Sequence, residues 1–177
     1  MPIRTGRSFR VCGTASRIRG KHDRVSQRGA FELGTDGPTV ILTGLDGSRT
    51  SLRAGAYAAG LARRSGARLV VAHVSGRFPF AGLAGMAAGA AVAIADAERS
   101  LADELRTQAE QGAAHAGVTM EFVVAAGDPF TELTRIAEQV RAELVVVGAS
   151  ESAGHRLVGS LASRLVRAAR WPVTVVP

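Results

Sequence analysis

The sequence predicts an α/β fold: a five-stranded, parallel, doubly wound sheet with helices on both faces. Five short apolar segments alternate with helical patterns from residue 39 to the C-terminus, and strands that are separated by helices usually pair in parallel. Aromatic residues make up only 5% of the chain, so Ala, Val and Leu must form most of the core. The length of 177 residues favours one folded domain.

The five predicted strands are short runs of Val, Leu and Ile, as expected for strands that are buried on both faces of a parallel sheet. They cover residues 39–45, 68–74, 118–125, 143–147 and 172–176. The first reads TVILTGL and the last reads PVTVV.

Four helices are predicted between the strands, at residues 51–65, 90–116, 129–141 and 160–169. Gly66 and Gly117 are expected to end the first two helices. Asp128 and Ser160 are expected to cap the starts of the last two. The stripe predicted along one side of the first helix comprises Leu52, Ala56, Ala59, Ala62 and Arg63. The stripe predicted on the second comprises Ile94, Ala97, Leu101, Leu105 and Ala109.

An uncharged segment at residues 78–95 has the length of a short membrane span. Pro79 and three glycines interrupt it, and it lies within the regular alternation of strands and helices. We therefore interpret it as a connection followed by the first turns of the second helix. A lid over the binding site and a surface loop without a role are both open interpretations of this connection.

The net charge of +7 belongs to the N-terminus. Residues 1–30 contain eight basic residues and one acidic residue, so the rest of the chain is neutral. This region has few bulky apolar residues with which to offset the entropy cost of ordering. We favour a disordered extension over residues 1–37, followed by one domain at 38–177. A patch for nucleic acid or anionic membranes and a targeting address are the alternatives. No apolar signal segment follows the arginines, so the expected location is the cytoplasm.

The sequence offers little sign of catalytic chemistry. Cys12 is the only cysteine, and the four histidines show no metal-ligand spacing. No Ser/His/Asp or paired-carboxylate arrangement is recognisable. His73 lies in an apolar strand, where a hydrogen-bonded core histidine is the expected role. An enzyme of high turnover is therefore not expected, and any hydrolytic activity should be weak.

The predicted topology brings three loops to one place. In a doubly wound sheet, ligands bind at the carboxyl ends of the strands where the strand order reverses. The loop of Asp46, Gly47 and Ser48 follows the first strand, and the loops from Ser75 and Gly148 follow the second and fourth. The fourth loop leads into a helix start, whose N–H groups favour phosphate. These features indicate a nucleotide-binding domain.

Three segments together resemble the universal stress protein family. They read VILTGLDGSRTSLRAGAYAAGLARRSGARLVVAHV, AAGDPFTELTRIAEQVRAELVVVG and GSLASRLVRAARWPVTVVP. The resemblance runs from about Pro38 to Pro177 and rests on the order and spacing of the segments rather than on one motif. It implies a Rossmann-like fold of the adenine-nucleotide alpha-hydrolase type, and a stress-response protein that works as a switch or through an unidentified protein partner.

The resemblance also implies a binding site for ATP or another adenine nucleotide, accompanied by Mg²⁺. By position, Leu45, Asp46 and Val74 would hold the adenosine. Val147 and Gly148 would flank the ribose. The phosphates would lie at the helix start, which comprises Gly159, Ser160 and Leu161.

The glycine loop departs from the pattern of the ATP-binding members, which is Gly-Xaa2-Gly-Xaa9-Gly followed by Ser or Thr. Glu151 stands at the second glycine position, and only residues 152–158 separate it from Gly159. A carboxylate there would repel a phosphate. Gly154 could replace the missing glycine, with His155 and Arg156 adding positive charge. The alternative is a dimer that binds no nucleotide and acts through protein partners.

The last strand is expected to form a homodimer. Nothing after residues 172–176 covers this edge, and open edges favour pairing with another chain. A two-fold antiparallel pair of these strands is the simplest closed arrangement, and the resemblance implies the same. Replacing Thr174 with Pro is expected to shift the protein toward monomer. Neither a membrane nor a nucleic acid is an expected partner.

Overall fold

The computed structural model describes residues 37–76, 88–150 and 160–177. Within these ranges, strands and helices alternate strictly along the chain, as predicted. The elements, in order, are β1 (Val40–Gly44), α1 (Arg49–Ser65), β2 (Arg68–Ser75), α2 (Ala88–Ala116), β3 (Met120–Ala126), α3 (Pro129–Val140), β4 (Leu144–Gly148), α4 (Ser160–Ala168) and β5 (Val173–Val176).

The strands form one five-stranded sheet in the order β3-β2-β1-β4-β5, and every pair is parallel. The doubly wound α/β fold is therefore confirmed. Thr43 of β1 lies opposite Val71 of β2 and Val146 of β4, which sets the register of the centre. The strand order reverses between β1 and β4, so the first and fourth loops leave the sheet side by side.

Two apolar clusters cover the two faces of the sheet. Leu42, Val70 and Val145 contribute to the cluster that includes α3 and α4. Ile41 and Leu69 contribute to the other, which includes α1 and part of α2. Ile41 and Leu42 are both 0% exposed although they are neighbours. Because successive strand residues point to opposite faces, β1 must be buried on both.

The stripe predicted for α1 is wrong at most of its positions. Ala59 and Ala62 are buried, as predicted, but the buried face also includes Ala54 and Ala58, which are 0% exposed. Leu52 is 38% exposed, and Ala56 and Arg63 are exposed as well. Alanine occurs on several sides of this helix, so the pattern did not define one face. The methyl side chains let the helix backbone lie close to the sheet, whereas a leucine there would hold it away.

The stripe predicted for α2 is correct only near the sheet. Leu105 is 2% exposed, whereas Leu101 is 38% exposed and Ala97 is exposed. Ala102 and Ala113 are buried instead. The helix has 29 residues and is therefore about 44 Å long, well beyond the length of the strands. The described side chains of its first half are all exposed or half-buried.

Predictions for residues 1–36, 77–87 and 151–159 lie outside the described residues. These include the basic extension, most of the uncharged connection, and Glu151, Gly154 and Gly159. Along the described parts of the chain, no helix combines the length and hydropathy needed to cross a bilayer.

Candidate functional site

A cavity of about 310 Å³ opens at the carboxyl edge of the sheet, between β1 and β4. Seven of the nine residues that the sequence predicted for the site line it. These seven are Leu45, Asp46, Val74, Val147, Gly148, Ser160 and Leu161. The other two, Gly154 and Gly159, fall in the part of the chain that the structure does not describe.

Three helix starts meet at this cavity. Ser48, Thr50 and Ser51 come from the start of α1, and Pro129 comes from the start of α3. Ser160 is the first residue of α4. Each start carries backbone N–H groups without helical partners and the positive end of a helix dipole. From the sequence, only the start of α4 was predicted to bind phosphate, although every helix of a parallel α/β fold begins at this edge.

The loop after β1 is held by its own hydrogen bonds. The Ser48 N–H donates to Asp46 Oδ1 at 2.9 Å, and the Asp46 N–H donates to Ser51 Oγ at 3.3 Å. Ser48 caps α1, because its Oγ accepts from the Ser51 N–H at 3.2 Å. Gly47 lies between them with φ of 84°, a conformation that other residues seldom adopt. The Asp-Gly-Ser sequence therefore builds a turn and also directs Asp46 to the cavity.

Asp46 is held in its charged form. Partial burial by itself would raise the pKa of its carboxyl. The hydrogen bonds from Ser48 and Ser51 favour the carboxylate more strongly, so the pKa lies below its ordinary value. The cavity therefore contains a fixed anionic acceptor on the loop that follows β1.

Gly148 has a structural reason to be glycine. A Cβ at this position would lie 2.6 Å from the carbonyl carbon of Thr50 and 2.7 Å from the nitrogen of Ser51. These are backbone atoms in the first turn of α1, which cannot move aside without moving the helix. Gly148 thus lets the end of β4 pass close to the start of α1 and keeps both in the cavity wall.

The start of α4 is tied to the start of α3. Arg164 donates from both terminal nitrogens to the Asp128 carboxylate, at 2.9 and 3.0 Å, and its guanidinium stacks 4.3 Å from the Phe130 ring. Asp128 caps α3, as predicted, and accepts from the Thr131 N–H at 3.0 Å. Ser160 is the first described residue of α4, so its predicted role as the cap of this helix stays a prediction.

His73 is a hydrogen-bonded core residue, as predicted. It is 4% exposed, and its Nδ1 lies 2.8 Å from the Leu45 carbonyl oxygen. A carbonyl can only accept, so Nδ1 carries the proton in this contact. This hydrogen bond fixes the backbone at Leu45, one residue before Asp46, and so helps to hold the loop after β1 in place. Within the described ranges, no group of three His, Cys, Asp or Glu side chains could hold a metal ion.

Comparisons with known proteins agree with this architecture. The sequence model of the Universal stress protein family matches residues 39–177. A universal stress protein of Methanocaldococcus jannaschii is 30% identical over 138 residues, covering 77% of this chain and 80% of that protein. A solved structure of a universal stress protein family member from Burkholderia pseudomallei is 30% identical. Its match covers 78% of this chain and 96% of that one, with a TM-score of 0.63.

A second solved structure shows a universal stress protein in complex with cAMP. It is 27% identical, the match covers 79% of this chain and 97% of that chain, and the TM-score is 0.62. The family model spans every strand and helix of the described fold. The chain belongs to the universal stress protein family.

Proposed function

We propose that this protein binds ATP or another adenine nucleotide in the cavity between β1 and β4, and acts in the cytoplasm as a stress-response switch or partner-binding protein. One observation carries the proposal: three helix starts and the Asp46 carboxylate converge on the same cavity. Helix starts attract phosphate, and a carboxylate accepts hydrogen bonds from ribose hydroxyls or an adenine amino group. The cavity thus offers complementary chemistry to the two ends of a nucleotide.

The lining favours one direction for the proposed nucleotide. The nucleoside would lie toward β1 and β2, where Asp46 supplies the acceptor and Leu45 and Val74 supply apolar contact. The phosphates would lie at the start of α4, against the backbone of Ser160 and Leu161. The opposite direction would place phosphates beside the Asp46 carboxylate and is disfavoured by charge repulsion.

The size of the cavity is compatible with this ligand. Its volume of about 310 Å³ lies at the lower end of the usual range for ligand sites, which begins at about 300 Å³. The relative that was solved with cAMP supports a ligand of this class. Asp46 is the only carboxylate among the described lining residues, so Mg²⁺ would take most of its ligands from phosphate and water.

The proposal is tested by isothermal titration calorimetry with ATP, AMP and cAMP. Asp46→Asn removes the charge but keeps an acceptor for the Ser48 N–H, so the loop should survive. We expect this variant to weaken nucleotide binding by about tenfold, because a charge-assisted hydrogen bond is lost. Asp103→Asn is the matched control, since Asp103 is exposed on α2 and does not line the cavity. Unchanged affinity of Asp46→Asn, or no binding to wild type at millimolar nucleotide, would contradict the proposal.

A second variant tests the altered glycine loop. Glu151→Gly restores the residue type that ATP-binding members have at this position and removes a negative charge. We expect it to bind ATP more tightly than wild type does, with a smaller gain for AMP, because the repulsion acts on phosphates. Equal affinity of wild type and variant for ATP would show that Glu151 does not face the phosphates.

We also propose a homodimer through residues 172–176, and this dimer is the functional unit if no nucleotide binds. β5 is an edge strand that pairs only with β4 among the described strands. All four of its residues are half-buried by the neighbouring core. An apolar strand with an open edge favours pairing with a second copy. Two-fold symmetry would join the two sheets into one.

A further inference from the structure

A second cavity, of about 740 Å³, lies between α1 and α2 on the face of the sheet away from α3 and α4. Its floor is apolar: Leu69 and Val71 of the sheet are each 2% exposed and already buried, whereas Leu52 and Ala56 of α1 are accessible, with Leu52 38% exposed. It is separate from the cavity between β1 and β4, and only Leu45 lines both. We call it the α1/α2 groove.

The groove is open because its walls have short side chains. Gly55 and Gly60 of α1 face Ala109 and Gly112 of α2 across it. A Cβ built at Gly112 would meet no atom within 4 Å. The space is therefore large enough for a ligand, since its volume of about 740 Å³ falls well within the range of small-molecule sites, roughly 300 to 1,000 Å³.

One end of the groove carries the positive charge of Arg63. Arg63 lies in the last turn of α1 and His115 in the last turn of α2, and both line the groove. Both helices return antiparallel to the parallel strands, so their last turns lie at the same edge of the sheet. No acidic side chain is among the described residues that line the groove. Its charge and its apolar floor are thus complementary to a molecule with one anionic and one apolar end.

We propose that the α1/α2 groove binds a small amphipathic anion, a free carboxylate on a single alkyl chain. The alkyl chain would lie on Leu52 and Ala56, which line the groove and are exposed, so that it replaces water against apolar surface. The carboxylate would lie at Arg63, whose planar guanidinium can donate two hydrogen bonds to it. This site is independent of the nucleotide cavity proposed above.

Arg63 can also stabilise α1 through the helix dipole, and the experiment must separate this effect from ligand binding. Basic residues in a last helical turn stabilise the helix through its dipole. Arg64 occupies the same last turn of α1 but does not line the groove. Arg63→Gln and Arg64→Gln therefore lose similar dipole stabilisation, whereas only the first changes the groove.

The test is calorimetric titration of the full chain with decanoate below its micelle concentration, and with 1-decanol as the uncharged analogue. We expect Arg63→Gln to weaken decanoate binding by about tenfold, since a charge-assisted contact is lost, and to leave decanol binding unchanged. Arg64→Gln should behave as wild type. Equal losses in both arginine variants, or no decanoate binding to wild type, would overturn the proposal.

A filling variant locates the ligand. Gly112→Leu places a side chain in the open space of the groove and also favours the helix, so the variant should remain folded. We expect it to abolish binding of both decanoate and decanol, while Asp46→Asn leaves both unchanged. Decanoate binding that survives Gly112→Leu would overturn the assignment to this groove. Binding lost in Asp46→Asn would overturn it too, because the ligand would then occupy the nucleotide cavity.

Discussion

At the scale of single residues, close contacts around the first cavity determine which residue types are possible. Gly148 passes the backbone of α1 at a distance that excludes a Cβ. Asp46 has its charge stabilised by the loop that it also helps to form. Both residues matched the family pattern in the sequence. The structure shows that Gly148 is needed for packing whether or not a nucleotide binds.

We predict that Gly148→Ala destabilises the protein by about 2 kcal/mol, because the new methyl group overlaps backbone atoms and forces α1 to shift. The measurement is the urea midpoint of unfolding. Gly112→Ala is the matched control, since its Cβ enters open space and should stabilise the helix by about 1 kcal/mol. Equal effects of the two substitutions would show that α1 adjusts without cost.

The pair of Asp128 and Arg164 predicts a dependence of stability on pH. Hydrogen bonds from Arg164, then from Thr131, lower the Asp128 pKa from 3.8 to about 2. Because the folded-state pKa is the lower one, the ionised carboxylate stabilises the fold above pH 3.8, and this contribution is lost as the pH falls toward about 2.

Asp128→Asn keeps the helix cap but removes the ion pair. We therefore expect it to lower the free energy of unfolding at neutral pH. The difference from wild type should shrink as the solution becomes acidic. Urea unfolding at a series of pH values measures this difference, with Asp103→Asn as a control for loss of an exposed carboxylate. If the difference in unfolding free energy between wild type and Asp128→Asn stayed constant down to about pH 2, the ion pair would not be the source of the stability.

At the scale of elements, the orientation of β5 changes the expected effect of a proline. The Pro172 carbonyl accepts from the Val145 N–H of β4 at 3.0 Å, and the Val176 carbonyl accepts from the Ala149 N–H just after β4 at 2.7 Å. Backbone groups alternate in direction along a strand, so Thr174 also faces β4, and Val175 faces the open edge. The expectation that Thr174→Pro acts mainly on the dimer is therefore corrected: it removes a bond within the sheet.

We predict instead that Val175→Pro weakens the proposed dimer while the monomer remains folded, because it removes an N–H that points away from β4. Sedimentation velocity measures the assembly and thermal unfolding measures the fold. Val175→Ala shortens the same side chain but keeps the N–H, so it should remain dimeric. Thr174→Pro should lower the melting temperature. A wild type that sediments as a monomer at micromolar concentration would contradict the dimer.

At the scale of the whole molecule, the excess positive charge and the family domain occupy different parts of the sequence. The family match covers residues 39–177, whereas the excess positive charge lies within residues 1–30. We propose that the domain begins near residue 38 and that the extension before it contributes little to folding.

Deletion of residues 1–30 is predicted to leave the melting temperature nearly unchanged, because this region has little apolar surface to bury. Differential scanning calorimetry of the two proteins at equal concentration measures the effect. Deletion of residues 1–44, which removes the central strand β1, is the control and should abolish cooperative unfolding. A large fall in melting temperature for the shorter deletion would show that the extension stabilises the domain.

Much of the fold could be predicted because its signals are local. Apolar runs, glycines such as Gly66 and Gly117 after helices, and the cap at Asp128 depend on a few neighbouring residues. They identified each strand and helix to within a few positions. The site could be predicted in part for the same reason, since the turn at Asp46 follows directly from Asp-Gly-Ser after a strand.

The remaining features depend on contacts between residues that are far apart in the sequence. The sequence by itself determined the alternation of elements, the family and the residues at the ends of β1 and β4. Only the tertiary structure decided which alanines of α1 face the sheet, because Ala54 and Ala56 have identical side chains. It also brought the starts of α1 and α3 to the cavity and left the α1/α2 groove open. Strand order and helix rotation set these features, and neither is encoded in a short stretch of sequence.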